Sequence, residues 1–265
     1  MASFVETFRG VGNSNEETWT FDIDERFNGA FGGTNGGVLS AISVHVARQL
    51  SSRRAASIDS RYIRGFRPGT ARVVSRLVKR GRTLTVMDVD ILDAQDRLCT
   101  HSVVTLVQAN ALAVDIQHSG PLMPPPDMAS WEDGKLWRAP SGPMVIPLIE
   151  TFEPTALGGS DSMTITGTRV VWQESGTSAE AACIAADISV GPPVARAVGS
   201  AASTPNPDLS LRFCGSMDPA DFLAACCTLR TIDAGLASTN IDVWNARDLV
   251  AVGVSSTTCL PVPSG

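Results

Sequence analysis

The sequence predicts an α+β protein made of two tandem copies of one unit, each an antiparallel sheet wrapped around a central helix. Three observations lead there. The order strand, helix, several strands occurs twice; short motifs recur at a nearly constant spacing; and a proline-dense strap separates the copies.

The strap is the plainest feature. Residues 117–147 hold prolines 121, 124, 125, 126, 140, 143 and 147, seven of the sixteen in the 265-residue chain. Proline at that density continues neither a helix nor a sheet ladder, so the segment is a linker. It divides the chain into units at 1–116 and 148–265, with Trp131 and Trp137 on the strap between them. The units rhyme. Arg61-Tyr62 with Pro68 matches Arg212-Phe213 with Pro219 at an offset of 212 − 61 = 151, and VDILDA from Val89 matches IDVWNA from Ile241 at 241 − 89 = 152. Matches in the same order indicate a duplication.

Each copy opens on a period-two strand. In the first, Trp19, Phe21 and Ile23 alternate with Thr20, Asp22 and Asp24; in the second, Met163 and Ile165 alternate with Thr164 and Thr166, and the apolar set should face the core. A helix follows. Leu39, Ile42, Val46 and Leu50 make the apolar stripe of the first, with His45 on its polar side. Thr177-Ser-Ala-Glu180 has the form of a capping box at the start of the second, and Pro192-Pro193 should break that helix or separate it from a short successor. Strands are then expected near 55–66, 70–80, 83–93 and 97–109, and near 207–217, 221–231, 236–245 and 248–260. One helix embraced by such a run of antiparallel strands is the hotdog plan, here doubled. A sheet of this kind leaves an edge and a face that a second copy can cover.

Composition narrows the function. Hydrophobic residues are 43% and charged residues 18%, as in a folded domain, and the net charge of −6 supplies no overall basic footprint for nucleic acid. No run of roughly 18 apolar residues suggests a membrane span, and no charged and then apolar leader opens the chain. Six cysteines without a CxxC pair read as reduced thiols, so the expected location is cytoplasmic. Three scattered histidines make no metal site, and neither a metal nor a cofactor is expected. The nucleophile elbow GxSxG, HExxH, GxxxxGK and GxGxxG are all missing, as is the Asp-x-Asn-x-x-His signature of hotdog hydratases.

The entry Phe31-Gly32-Gly33 to the first helix, SIDSRYIRGFRPG with the KRGRT turn after it, and PDLSLRF in the second copy carry a resemblance to the double-hotdog acyl-CoA thioesterases of the TesB-like (thioesterase II) family. With the duplication, it covers nearly the whole chain. The resemblance implies an acyl-CoA substrate and a water held by an Asp, a Thr and a Gln of the second copy. The Asp-x-Ser-x-x-Phe pattern puts the Asp at Asp208, whose equivalent in the first copy is Ser57. Thr231, or Thr228 as the alternative, stands for the Thr. Ser255 occupies the place of the Gln, and a hydroxyl is too short to span the same two partners. The resemblance also implies further pairing into a homodimer or higher homo-oligomer.

Thioester hydrolysis needs a polarised carbonyl and an aimed water. Backbone amides at a glycine-lined helix start suit the developing oxyanion, which singles out Gly33, Asn35, Gly36 and Gly37; the alternative is that these glycines only permit a turn and close helix packing. Asp208 suits a general base, or else a residue that caps turn amides at a strand start. Arg80 and Arg82, beside Lys79, form a basic turn for the phosphates of coenzyme A, or a solvated hairpin. His45 and His101 read as structural. The expectation is an acyl-CoA thioesterase; the alternative is a catalytically weak or inactive acyl-thioester-binding protein with Ser255 in the Gln position.

Overall fold

The computed structural model describes residues 2–13, 18–112, 134–136, 146–199, 202–214, 221–245 and 248–261, so most of the strap, with Trp131 and Trp137, lies outside the described residues. In chain order the elements are α1 (Phe4–Thr7), β1 (Gly10–Asn13), β2 (Thr18–Ile23), α2 (Gly36–Ser51), β3 (Arg54–Tyr62), β4 (Gly69–Arg80), β5 (Leu84–Leu92) and β6 (Leu98–Val107). They continue with β7 (Lys135–Leu136), α3 (Pro147–Phe152), β8 (Thr155–Ser160), β9 (Met163–Arg169), α4 (Ser178–Val198) and β10 (Ala202–Ser203). The chain closes with β11 (Asp208–Phe213), β12 (Phe222–Asp233), β13 (Leu236–Asn245), β14 (Asp248–Thr258) and β15 (Leu260–Pro261).

Among the described residues thirteen strands form one antiparallel sheet in the order β1-β2-β4-β5-β6-β3-β11-β14-β13-β12-β9-β8-β7. The first copy contributes β2-β4-β5-β6-β3, and the second contributes β9-β12-β13-β14-β11 in the mirrored order. Two separate sheets were expected; instead β3 and β11 pair edge to edge, with Asp208 opposite Arg61 and Arg212 opposite Ser57. The unpaired N–H and C=O groups of the two edges satisfy each other there.

Both central helices lie on one face of this sheet. Gly37, at the start of α2, meets Cys183, Ile184 and Asp187 of α4, whereas Arg48, near its end, meets Glu180, so the helices run antiparallel. Leu39, Ile42 and Val46 are buried as their spacing predicts. His45 is buried too rather than polar-facing, stacked on Phe4 with centroids 4.4 Å apart and 3.6 Å from Glu180, because α4 covers that second flank of α2.

Three expectations change in the second copy. The capping box does not form: Thr177 Oγ1 donates to the Glu174 carbonyl (2.6 Å) and accepts from Trp172 Nε1 (2.9 Å), while Glu180 turns to Arg48. Pro192 and Pro193 sit inside α4, which runs on to Val198, so they cost ladder bonds without ending the helix. In β9 the alternation is as expected but the faces are exchanged. Thr164, Thr166 and Thr168 align with Cys227, Ala225 and Leu223 of the main core, and Met163 and Ile165 join Leu157, Ala224 and Cys226 in a small cluster on the other face.

Among the described residues α4 is the one helix long and apolar enough to cross a membrane, which the sequence reading had not anticipated; 61% of that stretch is buried, as the core helix of a packed sheet would be.

Candidate active site

The approach to α2 is glycine-rich because backbone and side chains crowd it. A Cβ on Gly33 would stand 2.9 Å from the Phe66 carbonyl oxygen, one on Gly36 2.5 Å from the Tyr62 ring, and one on Gly37 2.5 Å from the Cys183 carbonyl oxygen. The Thr34 amide donates to the Phe66 carbonyl (2.8 Å) and the Asn35 amide to the Phe27 carbonyl (2.9 Å), which fixes the entry to the helix. Close packing is therefore one function of these glycines, and the same crowding delivers the first turn of α2 to the second copy.

The group that meets this turn is Asp187, which the sequence reading did not single out. It lies midway along α4 and is 6% exposed. Its Oδ1 accepts from Asn206 Nδ2 at 2.5 Å and its Oδ2 from Asn35 Nδ2 at 2.6 Å; the Gly37 amide and the Tyr62 hydroxyl donate to it as well. Burial raises the Asp187 carboxyl above its ordinary range, opposed by the four donors, with Gly37 the strongest of them. Burial, and then the charge of Asp187, push the Tyr62 phenol well above its usual value. From Tyr62 a chain of hydroxyls runs inward through Ser40 (2.9 Å), Ser60 (2.9 Å) and Ser102 (2.8 Å). The available signal was one carboxylate in an otherwise apolar helical run, AACIAADISV, where a charge needs dedicated partners.

Asp208 stands two residues beyond Asn206, at the first position of β11. Its Oδ1 accepts the Ser256 amide at 2.7 Å, and its Oδ2 lies 3.9 Å from Arg61 Nη1, beyond hydrogen-bond reach. The side chain keeps 20% of its surface exposed. Ser255, 2% exposed, donates its hydroxyl to the Asp208 carbonyl at 2.7 Å, with the Ser256 carbonyl at 3.2 Å as the other acceptor. The structure thus brings Asp208 and Ser255 together through the main chain.

Thr231 lies in the same row of the sheet, opposite Ser238, which is itself opposite Ser256. It is exposed, just past a bulge after Leu229, and Thr228 pairs with Asn240 further along. The threonine directly opposite Ser255 is Thr239, fully buried, whose hydroxyl has no partner among the described residues. Arg80 and Arg82 are not brought to this end. The Arg82 carbonyl lies by Arg53, just past the C-terminus of α2, and that sixteen-residue helix spans roughly 24 Å.

Known proteins share this fold. Residues 24–110 match the acyl-CoA thioesterase N-terminal domain model. Among solved structures, a candidate thioesterase II from Thermobifida fusca superposes with a TM-score of 0.79 at 16% identity, covering 97% of this chain and 98% of that one. The TesB protein of Mycobacterium avium subsp. paratuberculosis gives 0.77 at 14%, covering 97% and 98%. A hot dog fold protein of unknown function from Alicyclobacillus acidocaldarius gives 0.75 at 14%, covering 96% and 100%. None of the curated proteins matches the sequence. The chain is a double-hotdog protein. Its residues 24–110 resemble the acyl-CoA thioesterase N-terminal domain, and the whole has the fold of the thioesterase II and TesB structures.

Proposed function

We propose that the protein hydrolyses an acyl-CoA thioester to a carboxylic acid and free coenzyme A at the end of the sheet where the copies meet. One observation supports this above the others: the first turn of α2, from one copy, and two carboxylates of the other copy converge there, and Asp208 keeps one oxygen without a hydrogen bond among the described residues. The amides of Asn35 and Gly37 are taken by Phe27 and Asp187, which leaves that of Gly36 for the carbonyl oxygen.

In this reading Asp208 Oδ2 accepts a proton from water as the water oxygen bonds to the thioester carbon. The carbonyl electrons move onto oxygen, facing the positive end of α2. Collapse of that intermediate breaks the C–S bond, and the departing sulfur takes the proton back from Asp208. Ser255, through the Asp208 carbonyl, and Ser256, through its amide, hold the carboxylate in place.

The test is free thiol release from a panel of acyl-CoAs. Asp208→Asn should lower kcat by about a hundredfold or more; equal rates remove Asp208 from the mechanism. A second reading makes Asp187 the base, favoured by its burial at the helix mouth. It holds if Asp187→Asn abolishes turnover in a folded protein while Asp208→Asn does not.

A further inference from the structure

A cleft beside the helix mouth, of about 510 Å³, is lined by Arg64, Arg67, Thr70, Asp93, Gln95 and Arg97 among others. Its walls are the loop between β3 and β4 and the turn between β5 and β6. Among the described residues Arg97 is the one of its three guanidinium groups that is committed, to Asp93 at 2.7 Å and 2.8 Å. Among the described residues no carboxylate lies within 4.0 Å of Arg64 or Arg67, and both are exposed. Among the described residues the cleft therefore carries two uncompensated positive charges, on a chain whose net charge is −6.

The loop that presents them is fastened at both ends. The Ile63 and Arg64 amides both donate to the Cys99 carbonyl (2.9 and 3.1 Å), and Phe66 is buried with its carbonyl accepting from Thr34. Gly69, at φ +143, lets the chain turn into β4. Through Phe66 the loop lies directly against Gly33 and Thr34, the approach to the first turn of α2. Arginine forks on a tethered loop suit phosphate, because little freedom is lost when they engage it.

The geometry points to this cleft as the binding site for the phosphorylated nucleotide end of coenzyme A, with Arg64 and Arg67 as its phosphate ligands. The assignment rests on the hydrolase reading above, and it moves phosphate recognition from the Arg80–Arg82 turn to the end of the sheet that holds Asp187 and Asp208. A thioester whose carbonyl sits at the mouth of α2 extends toward this cleft along the loop 63–68.

Calorimetric titration with adenosine 3′,5′-bisphosphate tests it on the full chain without requiring turnover. The wild type should bind, and Arg64→Ala/Arg67→Ala should bind about tenfold or more weakly, as expected for lost charge-assisted hydrogen bonds. Arg80→Ala/Arg82→Ala should keep wild-type affinity. Failure of the wild type to bind, equal affinity in the Arg64/Arg67 variant, or a loss confined to the Arg80/Arg82 variant overturns the assignment. A kinetic arm compares acyl-CoA with the acyl thioester of N-acetylcysteamine: the preference for acyl-CoA should fall in the Arg64/Arg67 variant and an unaltered preference counts against the cleft. If neither thioester is hydrolysed by the wild type, the hydrolase reading fails while the titration still decides the cleft. Both arginines are exposed, and near-identical thermal unfolding of variant and wild type verifies the fold.

Discussion

The side-chain amide of Asn206 meets Asp187 at 2.5 Å, two residues before Asp208. This bond couples the buried carboxylate on α4 to the strand that carries the partly open one. Asn35, on the far side of Asp187, couples it to the other copy. Asp187 is in this sense the knot between the helix mouth and β11, and its removal should loosen both.

Asp187→Ala leaves the donors of Asn35, Asn206, Tyr62 and Gly37 facing one another in a buried space, at a cost of about 3 kcal/mol in urea unfolding. A pH dependence follows from its raised carboxyl. The folded state holds that proton more tightly than the unfolded state, where the value is about 3.9. The contribution is then fully present below that ordinary value and lost as pH rises through the raised one. The stability margin of the wild type over Asp187→Asn should accordingly shrink as pH increases from about 4. Melting temperatures of the two proteins across that range measure it, and a margin that widens with pH contradicts the assignment.

Gly37→Ala drives a methyl group into α4, 2.5 Å from the Cys183 carbonyl oxygen and 2.9 Å from Ile184 Cα. Backbone atoms of a packed helix have nowhere to go, so α2 and α4 must separate, costing about 3 kcal/mol. Chemical denaturation gives the number, and a substitution without effect implies that the helices do not approach so closely.

Ser255→Ala removes the hydroxyl that holds the Asp208 carbonyl and should cost about 1 kcal/mol. Ser255→Gln asks a buried site opposite Thr239 to admit a longer side chain and should cost about 2 kcal/mol by overpacking. Thermal unfolding separates these from any gain in turnover; a Gln variant as stable as the wild type shows room for the carboxamide.

Arg48→Ala strips the partner from Glu180, which is fully buried, and should cost about 4 kcal/mol because a lone charge remains inside. Replacing both residues with methionine should recover much of that loss. A double-mutant cycle measured by urea unfolding checks the coupling, and additive losses argue against a buried pair.

How much of this was legible beforehand differs by level. β13 was expected at 236–245 and forms there, and β4 was expected at 70–80 and spans Gly69–Arg80. Such strands announce themselves because alternation and turn residues act within a few positions. Asp208 and Ser255 were singled out through their order in a resemblance, and in the structure the Ser255 hydroxyl donates to the Asp208 main-chain carbonyl. Asp187 escaped notice because its partner Asn35 lies 152 residues away and no local pattern marks the meeting. The exchanged faces of β9 escaped for a related reason: threonine and isoleucine alternate identically whichever side is turned to the helix.

By itself the sequence determined the doubled order of strands and helices, since that order is written in short-range periodicity and in prolines that interrupt it. Only the tertiary structure decided that β3 and β11 fuse the copies into one sheet, that Asp187 contacts the first turn of α2, and that Arg80 and Arg82 stand at the far end of that helix. These are matters of which surfaces exclude water from each other, and a surface exists only after the chain has folded.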